Sequence, residues 1–358
     1  MLKARDAVRS LKEYHPPLGD RTGLRLDFNE NTVGASSRVL RRLQQLTLEH
    51  LARYPLREPV EAQVAEFLGL HPEEVLLTNG VDEGIHLLCE TYLSPGDEAI
   101  IVVPTFAMYE INAAATGARV VRVPALEDFS FPVERVLAAI TSQTRLIAVA
   151  NPNNPTGTIA SADDLKRIAN AAPQAAVLVD EAYFEFCGQT LLTSIRNLPN
   201  VFVARTFSKA YGLAGLRVGV LASSAEQMWM VRRVCSPYNV NAVALIALPD
   251  ALGDQEYVRQ YVGEVQRGRE RLEHEFHNRH ITYCPSEANF VLARIGPQHA
   301  AFVAAMKQRG ILVRDRSSDP GCEGWVRITL GSESQTERLL SALNEVLAEV
   351  KIAPEVVA

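Results

Sequence analysis

A lysine set among small residues is the first feature of this sequence that could do chemistry. Lys209 follows a serine in the stretch RTFSKAYGLAGLRVG, residues 205–219, and Arg217 lies near the end of the same stretch. Glycines around the pair are typical of a tight turn that another group approaches closely. A lone lysine is most often a solvated surface charge, so its chemistry depends on residues elsewhere in the chain.

Three further polar segments follow apolar runs, where α/β sheets bind their ligands. Asp180 ends AVLVD, Asn154 lies in the turn after LIAVA, and Gly80 joins a strand to a helix in TNGVDEG. Each also has a plainer explanation. Asp180 could cap a helix, the Asn-Pro segment could be only a rigid turn, and Asp82 and Glu83 could stabilise a helix start without any ligand.

The order of these features along the chain favours one functional site. The series is Gly80, Phe106, Asn154, Asp180, Tyr183, Ser208, Lys209 and Arg217. It meets the needs of a pyridoxal phosphate site. A lysine amine bonds to the aldehyde, and a carboxylate pairs with the protonated ring nitrogen. An amide and a tyrosine hydrogen-bond the ring oxygen, an aromatic ring stacks on its face, and hydroxyls, helix N–H groups and an arginine bind the phosphate.

Short apolar runs must position these residues. Candidate strands lie at 74–78, 99–103, 118–123, 146–150, 176–180, 201–206 and 218–222. Most are continuously apolar, which is typical of strands that helices cover on both faces. The sequence therefore predicts an α/β fold, with a mainly parallel central sheet in a large domain over residues 45–252.

The alternation of short apolar strands and amphipathic helices ends after the large domain. A long charged helix at 256–279 is followed by strand segments at 281–284, 289–295, 311–315 and 326–331, and by helices at 298–309 and 333–350. This pattern predicts a smaller α+β domain over residues 253–358. Residues 1–44 are predicted to form an N-terminal segment that packs with the small domain.

Composition excludes several classes of function. The net charge of −6 argues against nucleic acid or an anionic membrane as a partner. No apolar run approaches the ~18 residues of a membrane span, and the charged N-terminus does not look like a signal peptide. Five scattered cysteines without a C-x-x-C pair fit reduced thiols and give no metal site. We therefore expect a cytoplasmic protein without a metal, a membrane or a nucleic-acid partner.

The sequence resembles the fold-type I pyridoxal-phosphate-dependent aminotransferases over nearly its full length, and within them the histidinol-phosphate aminotransferases. The segments that carry this resemblance are NEN (29–31), RYP (53–55), GVDE (80–83), PTFAMY (104–109), NPNNPTG (151–157), VDEAYFEF (179–186), TFSKAYGLAGLRVG (206–219), PYNVN (237–241), EANF (287–290), VRD (313–315) and VRITLG (326–331).

The resemblance implies a role for each matching position. Lys209, Asp180 and Tyr183 are expected to be catalytic, with Lys209 on the cofactor aldehyde and Asp180 on the ring nitrogen. Asn154 and Tyr183 would contact the ring oxygen. Phe106 would stack on the face of the ring, at a position that is tyrosine in many relatives. The phosphate would be surrounded by Val81, Asp82, Thr206, Ser208 and Arg217, and by Tyr54 of the neighbouring subunit. The resemblance thus implies a homodimer with shared sites.

Substrate contacts are implied in the same way. Arg314 and Arg327 would hold substrate anions, and Tyr14, Asn29 and Glu30 would line the mouth of the site. In the segment NENT, Thr32 replaces the proline that is common in the family. This departure predicts a looser loop over the substrate.

The implied reaction moves the amino group of L-histidinol phosphate to 2-oxoglutarate, as in histidine biosynthesis. Lys209 would carry the proton from the substrate α-carbon. The sequence leaves open an aromatic amino-acid aminotransferase and a threonine-phosphate decarboxylase, since phosphate and carboxylate look alike to an arginine. A transcription regulator with this fold would need a DNA-binding domain, for which the chain has neither spare residues nor a basic segment.

Overall fold

The computed structural model describes residues 2–15, 19 and 21–350. The helices in this part of the chain are α1 (Asp6–Arg9), α2 (Ser37–Leu43), α3 (Leu48–Ala52), α4 (Glu58–Leu68), α5 (Gly80–Tyr92), α6 (Met108–Thr116), α7 (Val133–Ala139), α8 (Ala162–Ala171), α9 (Phe184–Cys187), α10 (Ala225–Arg232), α11 (Ala242–Leu252), α12 (Gln255–Asn278), α13 (His299–Gln308) and α14 (Glu333–Val350). The strands are β1 (Leu24–Arg25), β2 (Val75–Thr78), β3 (Glu98–Val103), β4 (Arg119–Pro124), β5 (Thr144–Ala150), β6 (Ala176–Asp180), β7 (Val201–Thr206), β8 (Gly219–Ala222), β9 (Tyr283–Cys284), β10 (Phe290–Arg294), β11 (Ile311–Leu312), β12 (Arg314–Asp315) and β13 (Trp325–Thr329).

Seven strands form the central sheet, in the order β2-β8-β7-β6-β5-β3-β4. Only β8 runs against its neighbours, so the prediction of a mainly parallel sheet is confirmed. Every residue of β2, β6, β7 and β8 is buried, as their continuous apolar runs predict. β4 lies at the edge of the sheet, where its two arginines are exposed.

The three strands β5, β6 and β7 bring the predicted site residues to one edge. They are adjacent and parallel, and Ala150 pairs with Asp180, which pairs with Ala204. Two backbone bonds extend this alignment past the strand ends, from Asn151 N to Asp180 O at 2.8 Å and from Glu181 N to Ala204 O at 2.8 Å. The loops that carry Asn154, Asp180 and Lys209 therefore leave the sheet side by side.

A second, antiparallel sheet has the order β12-β13-β10-β9 and packs with α12 and α13, against which α14 lies. The N-terminal segment contacts both parts of the molecule. Within it, β1 pairs with β11 of the C-terminal region, α2 lies against α11, and α1 lies against α6. The domain boundaries at residues 44 and 252 stay a prediction.

Within the described residues, the structure contains no helix that is both long and apolar enough to cross a membrane. The same residues contain no group of three or more histidine, cysteine, aspartate or glutamate side chains that could hold a metal ion. All five cysteines are free thiols, and three of them are buried.

Candidate active site

A cavity of about 420 Å³ opens at the carboxyl ends of β5, β6 and β7. The last residue of each strand lines it, namely Ala150, Asp180 and Thr206. The structure brings most of the predicted site residues to this cavity. Those that line its wall are Glu30, Val81, Asp82, Phe106, Asn154, Asp180, Tyr183, Thr206, Ser208, Lys209 and Arg217.

Lys209 lies in the turn after β7, and its Nζ donates a hydrogen bond to the carbonyl of Phe28 at 3.2 Å. Burial lowers the pKa of this lysine to about 8, and the positive charge of Arg327 acts in the same direction. Near that pH a substantial fraction of the amine is neutral. A neutral amine can attack an aldehyde or accept a proton, as an ordinary protonated lysine cannot.

Asp180 ends β6 and is only 4% exposed. It does not cap a helix, because α9 begins at Phe184 and Tyr183 occupies its cap position. Its carboxylate accepts hydrogen bonds from the Tyr109 hydroxyl at 2.6 Å and from the Ala182 amide at 3.0 Å. Burial raises its pKa to about 6, although both hydrogen bonds act against this rise. A buried carboxylate at the cavity wall is suited to pairing with a protonated ring nitrogen.

Sequence reasoning assigned no role to Tyr109. Its side chain is fully buried, and its ring meets that of Phe106 edge to face, with 5.8 Å between centroids. Tyr109 therefore links the predicted ring-stacking residue to Asp180. The spacing of three residues in PTFAMY, at the start of α6, was the available signal, since such residues lie on one side of a helical turn.

The expected phosphate end of the cavity is built from the start of α5 and from Arg217. Gly80 begins the helix with φ +73°, and a Cβ there would lie 2.7 Å from Nη2 of Arg217. The same Nη2 lies 3.0 Å from Oδ2 of Asp82, so that acidic residue is paired with the arginine. On the adjoining turn, the Ser208 amide donates to Oγ1 of Thr206 at 3.2 Å. Helix N–H groups, hydroxyls and a guanidinium together suit a phosphate.

Asn154 and Tyr183 face the cavity from two loops and are each held by a further residue. The Tyr183 hydroxyl accepts a hydrogen bond from Nδ2 of Asn29 at 2.8 Å and so retains its own proton for donation. Oδ1 of Asn154 accepts a hydrogen bond from Arg327. Asn29 is thus placed behind Tyr183, deeper than the mouth of the site where the resemblance put it.

Arg327 and Arg314 stand directly opposite each other on β13 and β12. Arg327 is only 5% exposed, and its Nη2 donates to the carbonyl of Asp27 at 2.7 Å. The Arg314 guanidinium lies 5.5 Å from the ring centre of Phe28, which lines the cavity. Burial lowers the pKa of both arginines, that of Arg327 to about 9. Like charges directly across a strand pair repel, so an anion between them would stabilise the arrangement.

The other predicted substrate and cofactor residues lie farther out. Glu30 lines the cavity but is ion-paired with Arg25 and Arg21. Tyr14 is partly exposed and does not line the cavity. Tyr54 is 77% exposed and stacks on Tyr238, with 4.3 Å between ring centroids. A single chain does not bring Tyr54 to its own cavity, so the role expected for this residue requires a second copy.

Comparisons with known proteins agree with this geometry. Residues 21–343 match the family model described as aminotransferase class I and II. The histidinol-phosphate aminotransferase of Moorella thermoacetica is 35% identical over 97% of this chain and 93% of its own length. The crystal structure of histidinol-phosphate aminotransferase from Sinorhizobium meliloti, in complex with pyridoxal-5'-phosphate, superposes with a TM-score of 0.87. The two sequences are 25% identical, and the superposition covers 98% of this chain and 99% of the Sinorhizobium meliloti chain.

A third relative has the same fold. The L-threonine-O-3-phosphate decarboxylase of Porphyromonas gingivalis has a TM-score of 0.79 at 24% identity, over 91% of this chain and 99% of its own. At that identity the likeness concerns the fold alone. The predicted family, fold type and cofactor are confirmed by the family match and by the first two relatives. The chain therefore belongs to the class I and II aminotransferase family and is a pyridoxal-phosphate-dependent aminotransferase.

Proposed function

We propose that this enzyme transfers the amino group of L-histidinol phosphate to 2-oxoglutarate, giving imidazole acetol phosphate and glutamate, as a step of histidine biosynthesis. The observation that carries the proposal is the opposed pair Arg314 and Arg327 beside the lysine cavity. A guanidinium pairs with two oxygens of a phosphate or a carboxylate. One arginine pair can therefore serve a phosphate-bearing donor and a dicarboxylate acceptor in turn. The relatives named histidinol-phosphate aminotransferase support this choice.

The residues of the cavity fit pyridoxal phosphate. Asp180 is a buried carboxylate that bonds to Tyr109 and Ala182 and still faces the cavity, where a ring N–H⁺ would complete it. Arg217 and the N-terminus of α5 supply positive charge at the other end. We assign Lys209 to the aldehyde, Asn154 and Tyr183 to the ring oxygen, and Phe106 to the ring face. We assign the first turn of α5, with Val81 and Asp82, and Thr206, Ser208 and Arg217 to the phosphate.

Bound pyridoxal phosphate supplies an electron-accepting ring that makes the substrate α-proton acidic. The chain supplies the rest. Lys209, with a pKa of about 8, would take the proton from the substrate α-carbon and deliver it to the aldehyde carbon of the cofactor. The Asp180 carboxylate keeps a positive charge on the ring nitrogen, and the Tyr183 hydroxyl donates a hydrogen bond at the ring oxygen. Arg314 and Arg327 hold the substrate anion, which fixes the α-carbon within reach of Lys209.

We further propose that the enzyme is a cytoplasmic homodimer whose partners are itself and its two small substrates. Large apolar side chains are exposed in one short stretch, with Leu48 at 87%, Leu51 at 64%, Tyr54 at 77% and Leu56 at 74% exposure. So many exposed apolar side chains within nine positions favour a surface that another protein covers. A second copy on this surface would place Tyr54 near the cofactor phosphate of its neighbour, as the resemblance implies.

The test is a comparison of amino donors on the holoenzyme, each with 2-oxoglutarate. L-histidinol phosphate should give a kcat/KM at least about tenfold above those of phenylalanine and tyrosine, which carry no phosphate, because a buried charge-assisted pair is worth roughly 2–5 kcal/mol. Threonine phosphate carries the same phosphate group and is tested for release of CO₂. Arg314→Ala should raise the KM for histidinol phosphate more than that for phenylalanine, and Arg327→Ala should impair both. A preference for aromatic donors, or release of CO₂ from threonine phosphate, would replace the proposal with one of those activities.

A further inference from the structure

A third arginine lies beside the two that we assign to the substrate. The amide of Arg316 donates to the carbonyl of Trp325 at 2.9 Å, which continues the pairing of β12 with β13 beyond Asp315. Residues two apart on a strand share a face, and directly opposed residues share it too. Arg314, Arg316 and Arg327 therefore project from the same face of this sheet. We call these three residues the arginine cluster.

The arginine cluster carries donors that no group in the described structure satisfies. Nη1 of Arg314, Nε of Arg316 and Nε of Arg327 are buried without a hydrogen-bond partner among the described residues. Arg327 is the most enclosed of the three, at 5% exposure. Burial is the largest cause of the lowered pKa of Arg327, and the positive charge of Arg316 is the second largest. Buried charged donors without partners cost free energy, so the cluster is suited to receiving an anion.

One carboxylate already serves the cluster. Asp319 is ion-paired with Arg316, and its amide donates to the Arg316 carbonyl at 2.9 Å, which closes a tight turn. The two side chains are 12% and 21% exposed. Burial raises the pKa of Asp319, and the charges of Arg316, Arg327 and Arg314 all act against this rise, so the carboxylate lies in the field of the whole cluster.

We propose that Asp319 is a built-in counter-ion of the arginine cluster, and that the Arg316–Asp319 pair sets how strongly the site favours a doubly charged anion over a singly charged one. The inference rests on the proposed function for its physiological ligand, a phosphate monoester. None of these four side chains forms the cavity wall, but Arg314 lies against Phe28 and Arg327 bonds to Asn154, and both of those partners line the cavity. Arg316 instead pairs with Asp319, which is not a lining residue. Both are therefore positioning residues that act through Arg314 and Arg327.

The direction of the effect follows from charge. Loss of the Asp319 carboxylate leaves the cluster one unit more positive, which strengthens its attraction for any anion in proportion to the charge of that anion. A phosphate dianion should gain about twice as much binding free energy as a carboxylate. Loss of the Arg316 guanidinium should have the opposite effect. Without a bound anion, the charge of Arg316 is thus neutralised by Asp319, and a phosphate can compete with Asp319 for that charge.

The experiment measures inhibition of the holoenzyme by inorganic phosphate and by acetate, at a pH where phosphate is mainly the dianion. Inhibition is assayed against whichever amino donor the wild type turns over. Asp319→Asn should lower the inhibition constant of phosphate by on the order of tenfold and that of acetate by about the square root of this factor. Arg316→Gln should raise the phosphate constant by a similar factor. In both variants the change in the phosphate inhibition constant should exceed any change in kcat.

Two further variants separate charge from structure. Asp315→Asn removes an equal charge four positions before Asp319. Asp315 lies on the face of the strand opposite to Arg314 and Arg316, where it pairs with His299 at 2.9 Å. This substitution should leave both inhibition constants close to those of the wild type. The double variant Arg316→Gln/Asp319→Asn restores the charge balance and should return phosphate inhibition toward the wild-type value. Arg316→Lys keeps the positive charge and should leave phosphate inhibition near the wild-type value. It replaces Arg316→Gln in the comparison if the Gln variant fails to fold.

The outcomes are distinguishable from those of the donor assay. Equal effects of Asp319→Asn and Asp315→Asn, or a fall in kcat without a change in phosphate inhibition, would overturn the counter-ion role. A wild type that ignores histidinol phosphate would overturn the proposed function alone, because the comparison of phosphate with acetate needs only a donor that the enzyme accepts.

Discussion

Lys209 and Asp180 illustrate how one buried environment can prepare two opposite groups. Burial disfavours the charged form of either residue, so it lowers the pKa of the lysine to about 8 and raises that of the aspartate to about 6. The amine becomes available as a nucleophile and base, while two hydrogen bonds limit the rise at the carboxylate. Pairs of groups whose pKa values are displaced in this way are characteristic of active sites.

The pH dependence of cofactor capture should report the displaced pKa of Lys209. Only the neutral amine can attack the aldehyde, and its fraction rises with pH through the pKa of the group. The rate of covalent capture of pyridoxal phosphate by the apoenzyme should therefore increase up to about pH 8 and then level off. Capture by an ordinary lysine would keep increasing to a pH of about 10.4. Stopped-flow absorbance at constant ionic strength measures this rate.

The control for this experiment is Lys209→Ala, which should bind the cofactor without covalent capture. Borohydride reduction of the wild-type holoenzyme followed by peptide mapping should label Lys209. A label on another lysine, or a capture rate that still rises beyond pH 10, would contradict the assignment of this residue.

Removing the Asp180 charge should affect turnover much more than removing the hydrogen bond that supports it. Asp180→Asn should reduce kcat by three orders of magnitude or more, on the order of 4 kcal/mol. Tyr109→Phe keeps the carboxylate but loses a bond to a charged group, worth about 1.5–3 kcal/mol. Because the Tyr109 bond lowers the pKa of Asp180, its loss should also move the acid limb of the kcat profile to higher pH.

Steady-state kinetics from pH 5 to 9, with cofactor retention followed by absorbance, would measure both variants. Unfolding midpoints from circular dichroism serve as the control for a general loss of structure. Near-normal transamination by Asp180→Asn would remove this residue from the catalytic set. A Tyr109→Phe profile with the wild-type acid limb would make Tyr109 a packing residue only.

At the scale of elements, strand placement was readable from the sequence because burial on both faces leaves a continuous apolar run. The runs at 176–180 and 201–206 coincide with β6 and β7, and their ends carry Asp180 and the Lys209 turn. Contacts made by neighbours at long sequence distance were not readable. No local pattern specifies that Tyr109 bonds to Asp180, or that Arg314 and Arg327 are opposed, since each depends on how separate elements pack.

The loop that carries NENT is another case in which packing adds to the pattern. The sequence predicted a looser loop because Thr32 replaces a common proline. In the structure the Thr32 hydroxyl bonds with Gln335 of α14, and Oδ1 of Asn31 accepts the amides of Val33 and Gly34 at 2.9 and 3.0 Å. A threonine at this position gives the loop an attachment that proline has no hydroxyl to make. Loop closure on substrate remains a prediction.

The start of α5 should not tolerate a side chain at Gly80. A Cβ there would lie 2.7 Å from Nη2 of Arg217, and φ is +73°, which favours glycine. Gly80→Ala should displace Arg217 and weaken pyridoxal phosphate binding by about tenfold or more, since a charge-assisted phosphate contact is lost. Fluorescence titration of the apoenzyme measures the affinity.

Gly84→Ala is the matched control for this substitution. Gly84 lies one turn later in α5, and the nearest atoms to its Cβ would be at 3.9 Å, an ordinary contact. Alanine in a helix interior should stabilise the fold by about 0.5–1 kcal/mol and leave the affinity for cofactor unchanged. Equal affinities in the Gly80 and Gly84 variants would mean that Arg217 does not need this close approach.

At the scale of the whole molecule, the site is assembled where the central sheet meets the smaller one. Arg327 of β13 bonds to Asn154, which follows β5. Nearby, the Glu287 amide donates to the Gly157 carbonyl at 2.8 Å, and a Cβ at Gly157 would lie 2.1 Å from Oγ of Ser286. The loop with the proposed ring ligand is therefore held by the part of the chain that carries the proposed substrate ligands. The proposed substrate ligand Arg327 and the proposed ring ligand Asn154 are thus direct hydrogen-bond partners.

Two subunits with different defects should form a dimer that is more active than either variant alone. Tyr54 is exposed in the single chain, stacks on Tyr238 and does not line the cavity of its own chain. If the Tyr54 hydroxyl completes the phosphate site of a second copy, Tyr54→Phe should keep the stacking but weaken cofactor binding in the neighbouring subunit. Mixing Lys209→Ala with Tyr54→Phe subunits, then refolding them together, should form some dimers with one intact site and restore activity above that of either variant. Two-fold dimers are the commonest oligomers, and sedimentation at assay concentrations should find that state. A fully active monomer, or mixed dimers without recovered activity, would show that each site is complete within one chain.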